Sequence, residues 1–211
     1  MKKIIMYVAV LGGLAFMTGC TKEPLNNLTE EESRIYITNY DNTVEFNNYK
    51  TFSIADTVSV IDNNRLAGRE LSSWDARLIS ALRTEMESRG FVMVDRDENP
   101  DLGINVSRLY NTFSGIIEYP NYWGGYGGFY DPFYWGYGGS PYYFPRSYGI
   151  YEVTEGAASI DMLDLKNAAS ANQINGVWNG LLRGTGIFRE SNVEAQVKAL
   201  FEQSPYLRTN Q

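Results

Sequence analysis

The sequence predicts an α+β domain: a mostly antiparallel sheet with two helices packed on one face, interrupted by a Gly/Tyr-rich insertion. Three observations predict it. Two segments repeat apolar residues at helical spacing, several short segments alternate apolar and polar residues as strands do, and the strands come in neighbouring runs. A parallel α/β sheet would instead alternate strand and helix one by one.

Ile35, Ile37 and Tyr40 suggest a first strand. Residues 49–55 (YKTFSIA) alternate and contain Thr, Phe and Ile, which suits a pleated surface. Ser72 begins a helix, because Ser72 with Asp75 has the spacing of a capping box and Trp74, Leu78, Leu82 and Met86 recur on one face. Gly90 stops it. Residues 91–95 read as a short strand and 96–100 as a turn. Leu102, Ile104 and Val106 alternate with Gly103, Asn105 and Ser107, giving another strand. After the insertion, 151–153 and 158–165 read as strand, 167–172 as a hairpin turn or short loop, and 177–183 as strand. Ser191 and Glu194 make a second capping-box pattern before Val193, Val197, Leu200 and Phe201, and Pro205 closes that helix. Trp178, Leu82 and Phe201 are the large apolar residues expected inside, between sheet and helices.

The N-terminus is a secretory signal in outline. Lys2 and Lys3 precede an apolar stretch, residues 4–17, that is too short to span a bilayer, and small residues lead into Cys20. Cys20 is the only cysteine of the chain, so it cannot form an internal disulfide. Met17-Thr18-Gly19-Cys20 is similar to the lipobox of bacterial lipoproteins, which implies cleavage before Cys20, a thioether-linked lipid there and acylation of the new amino group. The expected organisation is a signal peptide over 1–19, a lipidated tether over 20–43 and an α+β domain over 44–207, with an insertion loop over 115–151. Several acyl chains give firm anchoring where one does not. The expected location is the cell envelope, the chain held to the outer membrane on its periplasmic face or at the cell surface.

Losing residues 1–19 removes Lys2 and Lys3 from 18 basic residues, leaving 16 against 25 acidic ones, a net charge of −9. Such a balance disfavours nucleic acid and anionic lipid headgroups as partners. The chain has no histidine, which removes the commonest general base, the commonest zinc ligand and every Ser–His or Cys–His pair. No catalytic residue, metal or cofactor is expected. Asp95, Asp97 and Asn99 have the spacing that opens an EF-hand loop, but Pro100 replaces the turn glycine and Val106 the bidentate glutamate, so a turn explains them better. Asp161 and Asp164 read as solvent-facing carboxylates.

Residues 119–151 are of different material: ten Tyr, three Phe, two Trp, eight Gly and four Pro in 33 positions. Tyr and Trp pair a flat apolar face with a polar tip. Tyr122, Trp123, Tyr126, Tyr130, Tyr134, Trp135 and Tyr137 are therefore the candidate ligand contacts, toward an envelope protein, a peptide or a glycan. The competing reading is a self-packed loop whose rings cover the sheet. As a recognition loop the insertion would be dispensable for folding.

Several motifs occur in a fixed order: Tyr49-Lys50-Thr51-Phe52, the helix end Gly90-Phe91, Pro100-Asp101-Leu102, then Asp161-Met162-Leu163-Asp164 and Trp178-Asn179-Gly180. The set, spanning roughly residues 44–205, resembles the bacterial lipoprotein family of domain of unknown function 4136. The resemblance implies an envelope lipoprotein and carries over no catalytic residue. The expected role is a membrane-anchored binding or scaffolding module that is not an enzyme.

Overall fold

The computed structural model describes residues 29–63, 65–110, 134–138, 143 and 156–209 in full, and the backbone alone of 114–118, 142 and 148–152. The signal segment and Cys20 lie outside the described residues, as do Tyr122, Trp123, Tyr126 and Tyr130. In chain order the elements are β1 (Ile35–Tyr40), β2 (Thr51–Ile54), β3 (Val58–Asp62), β4 (Arg65–Glu70), α1 (Ser73–Ser88), β5 (Val92–Met93), β6 (Leu102–Tyr110), β7 (Ser114–Glu118), β8 (Tyr142–Tyr143), β9 (Tyr148–Glu152), β10 (Ala157–Asp164), α2 (Ala168–Ala171), β11 (Ile174–Arg183) and α3 (Val193–Glu202).

The class is α+β, but the sheet is mixed. Among the described residues nine strands form one sheet, with the path β1-β11-β10-β6-β2-β5, while β7 and β9 pair as a separate antiparallel ribbon. β1, β11, β10 and β6 are antiparallel neighbours. β2 and β3 then lie parallel to β6, one after the other along its edge, β2 beside Leu102–Ile104 and β3 beside Ser107–Tyr110. The expectation of a mostly antiparallel sheet is therefore corrected. A parallel pair needs a long crossover, and the segment from β4 through α1 to β5 supplies it. The hairpin of β3 and β4 is not anticipated by the sequence reading. β4 is polar along most of its length and exposed, so it carries little alternation.

β1 lies inside the stretch 20–43 expected to be tether. Its six residues pair with β11 from Ile35↔Arg183 to Tyr40↔Trp178, so the folded body already includes Ile35.

The first helix forms as its sequence predicts. The Ser72 hydroxyl accepts from the Asp75 N–H at 3.3 Å, and the Ser72 N–H donates to Asp75 Oδ2 at 2.8 Å. Gly90, with φ of 91°, takes the left-handed turn that ends it. The second capping box does not form. Asn192 precedes α3 without a side-chain cap, and Glu194 instead accepts from Arg77 Nε on α1 at 2.6 Å. The stretch 167–172 closes through a single helical turn, α2, with Asn172 left-handed at φ 52°.

The apolar sides of α1 and α3 share one core cluster with alternate residues of the sheet, among them Phe52, Ile104, Ile160 and Trp178. Leu82 and Phe201 are fully buried and Trp178 is 2 % exposed, as expected. Trp178 also donates its indole N–H to Ser204 Oγ at 2.9 Å, which ties β11 to the end of α3 and satisfies a polar group that burial would otherwise penalise. The intervening residues face the other side of the sheet and join a second cluster containing Leu163, Leu165, Ile174, Leu181 and Trp135.

Candidate binding cleft

The second face of the sheet is polar in sequence and yet buried. Asn105, Asp161 and Asn179 stand directly opposite one another on β6, β10 and β11. Asp161 is fully buried and accepts from Asn179 Nδ2 at 2.6 Å and from Ser159 Oγ at 3.1 Å. Asp164 is buried too, and accepts from the backbone N–H and Nδ2 of Asn167 at 3.0 and 2.8 Å, fixing the turn into α2. The reading of both as solvent-facing carboxylates is thus corrected. Alternating polar residues on three neighbouring strands look like a wet face in sequence, but here they lie beneath a cover, where Ser159, Asp161 and Asn179 hydrogen-bond to one another and Asn105 Nδ2 is buried without a partner among the described residues.

Part of that cover is the aromatic segment. Trp135 is 6 % exposed and sits over Gly103, where an added Cβ would stand 3.0 Å from the indole and 2.9 Å from Leu165 Cδ1. Only glycine leaves that space. The rings of Tyr134 and Trp135 meet edge to face with centroids 4.8 Å apart. Tyr137, half-buried, donates its hydroxyl to the Leu165 carbonyl at 2.9 Å. Of the seven candidate contact residues the structure therefore gathers Tyr134, Trp135 and Tyr137 against the sheet. Trp135 has its face turned to the core. Against the sheet, the covering role is the one these described rings perform.

Tyr134 also does something else. At the outer edge of β2 it walls an open cleft of about 570 Å³, together with residues of the β2–β3 connection, α1 and the turn after β5. The floor is Ser53, Ile54 and Ala55; Ala76, Ile79 and Met93 form an apolar side; Asp56, Asp95 and Asp97 stand at the rim. The Arg96 guanidinium lies over the Tyr134 ring, 4.7 Å from its centroid, and holds the wall upright. The Asp56 N–H donates to the Tyr134 hydroxyl at 3.1 Å. Burial pushes the Tyr134 hydroxyl above its ordinary pKa, so it is the neutral phenol that lines the cleft. Sequence reasoning did not single out Ser53, Asp56 or Arg96. They lie in a strand, a connection and a turn without motif, and only the meeting of three elements makes them neighbours.

Among the described residues no group of acidic, histidine or cysteine side chains is arranged to hold a metal ion. Asp95 precedes, and Asp97 lies within, a 3₁₀ turn, Arg96–Glu98, with Asn99 after it left-handed at φ 54°. The Asp95 N–H donates to Glu98 Oε2 at 2.9 Å.

Two of the sequence motifs, residues 49–52 and 100–102, meet elsewhere, around Asp101, with the residues that follow Asp164. Its carboxylate accepts from the Lys50 N–H at 2.6 Å, its N–H donates to Thr51 Oγ1 at 2.9 Å, and its carbonyl accepts from Leu165 and Lys166. Strand β2, the Pro-Asp-Leu turn and the end of β10 are thereby pinned together at one end of the sheet. This is a structural clasp.

The chain belongs to the DUF4136 family. That family's model, described as a domain of unknown function, matches residues 37–206. A crystallographically solved DUF4136 family protein of Bacteroides thetaiotaomicron is 29% identical, with a TM-score of 0.69 over 84% of this chain and 99% of that one. A PelC dodecamer from Paraburkholderia phytofirmans is 10% identical with a TM-score of 0.41, over 84% of this chain and 99% of that one. A PDZ domain protein from Parabacteroides distasonis is 13% identical with a TM-score of 0.40, over 82% of this chain and 36% of that one. The last two scores are too low to carry an argument. No curated protein matches this DUF4136 chain.

Proposed function

We propose that this DUF4136 protein is a lipoprotein of the cell envelope, anchored to the outer membrane through Cys20, and that its α+β body is a non-enzymatic binding or scaffolding module. The anchor reading rests on residues 1–20. The binding reading rests on one observation: the aromatic segment and the sheet edge together frame a cleft of about 570 Å³, with an apolar side and a few convergent polar groups. That combination of size and lining is what ligand sites present. The cleft lies beside β2, away from the clasp at Asp101.

A second reading, glycan or peptide contact through the rings of 119–151, is supported by Tyr143, which is 52 % exposed at the end of β8. The two readings separate in one experiment. Full-length protein is cross-linked in intact cells and recovered, with Ala76→Trp to fill the cleft from the exposed face of α1 and Tyr143→Ala to trim the ring. Loss of a specific adduct in Ala76→Trp alone supports the cleft. Loss in Tyr143→Ala alone supports the rings.

A further inference from the structure

The open edge of β2 bears on what the cleft takes. The pairing of β2 with β5 stops at Phe52↔Met93, where the Val94 N–H donates to the Phe52 carbonyl. Backbone groups on one side of a strand recur every second residue, so Ile54 and Asp56 turn theirs to the same outer side. There β5 has ended and the cleft begins. The Asp56 N–H meets the Tyr134 hydroxyl, an oxygen placed where the carbonyl of an added strand would otherwise stand. Ser53, on the floor, is 4 % exposed. Three exposed carboxylates, Asp56, Asp95 and Asp97, surround the opening, and none of them is in an ion pair among the described residues. Among the described residues that line the cleft, the one cation, Arg96, is stacked on Tyr134. Exposed Leu71 and half-buried Ile79 and Met93 add apolar surface beside them.

We infer that the cleft binds an extended peptide carrying a lysine or arginine, added as a short strand to the outer edge of β2. This rests on the reading of the cleft as the binding site and names its ligand class. Strand addition draws affinity from main-chain hydrogen bonds and specificity from alternate side chains. Here one side chain of the peptide reaches the Asp56–Asp97 rim, and its neighbours lie on Ile79 and Met93. An acidic rim also rejects acidic peptides by like-charge repulsion.

The test uses the full chain in detergent and a fluorescent hexapeptide, acetyl-Thr-Val-Lys-Val-Thr-Val-amide. Three further probes accompany it: the same peptide with Glu for Lys, the same peptide with alternate amides N-methylated, and lysine amide alone. Expected is binding of the Lys peptide at least about tenfold tighter than the Glu peptide, a difference of roughly 1.4 kcal/mol. N-methylation and the single amino acid should both lose binding. Asp56→Lys combined with Asp97→Lys changes exposed side chains only, and should invert the preference toward the Glu peptide while the thermal melt stays unchanged. Should that pair fail to fold, Asp97→Asn alone should still narrow the preference. Equal binding of Lys and Glu peptides, or full binding after N-methylation, overturns the inference. If no peptide binds, the inference also falls, whereas the cleft as a binding site is judged separately by the Ala76→Trp cross-linking comparison.

Discussion

Replacing Trp135 by alanine tests whether the aromatic segment is part of the folded body. The indole is 6 % exposed and packs with Leu163, Leu165 and Ile174 over Gly103. A tryptophan buries on the order of 150–250 Å². At about 25 cal/mol per Å² that is roughly 4–6 kcal/mol, an upper bound because unfolded chains already bury some surface. Measured large-to-small core changes of this kind cost about 3–5 kcal/mol. We therefore expect Trp135→Ala to lose about 3–4 kcal/mol. For a domain of this size that lowers the melting midpoint by roughly 6–16 °C. A urea melt with an unchanged slope reads the loss directly. Gly103→Ala supplies an internal check, since its new Cβ would stand 3.0 Å from the same ring. Overpacking there should cost about 1–3 kcal/mol alone and measurably less once Trp135 is gone, a coupling of at least about 0.5 kcal/mol. A loss below about 1 kcal/mol for Trp135→Ala, with additive effects in the pair, would refute the covering role and restore the segment as a detachable loop.

Three further outcomes are expected. Cys20→Ala should move the protein from the membrane to the soluble fraction, and a variant that still pellets with membranes in high salt would contradict a lipid-only anchor. Phe201→Ala should cost about 3–5 kcal/mol in a two-state urea melt, because the ring is fully buried beside Trp178. Tyr49 is held protonated well above its ordinary value by burial and then by the Asp164 carboxylate, so the stability it contributes is full below about pH 10 and is lost as the pH rises through its folded value. Tyr49→Phe should flatten that alkaline fall in stability in part, since Tyr134 and Tyr206 are shifted the same way; an unchanged alkaline slope would show that Tyr49 ionises as freely folded as unfolded.

Much of the fold is legible in local pattern. The capping box of Ser72 and Asp75 and the stop at Gly90 work as their chemistry requires, and the period-2 alternation of β6 and β10 marks their inward faces. What is hidden depends on neighbours. β2, β3 and β6 pair in parallel because of where α1 returns the chain, and no residue of β2 signals that direction. Glu194 has the spacing of a cap but finds Arg77 on another helix, a tertiary partner that outcompetes the local one. Asp161 looks solvent-facing because alternation reveals a polar face and not what lies over it. The cleft is the least legible feature, being assembled from Ser53, Arg96 and Tyr134, which the sequence separates by dozens of positions.

The account stands on the cleft beside Tyr134 being where the protein meets its partner. A photo-cross-linking amino acid placed at Leu71, which is 57 % exposed at the cleft rim, tests this directly in cells carrying the full-length protein, with the same substitution at Lys198 on the outer side of α3 as the control. A discrete adduct is expected from Leu71 that disappears when Ala76→Trp fills the cleft, and none from Lys198. Equal adducts from both positions, or an adduct from Leu71 that survives Ala76→Trp, would contradict it.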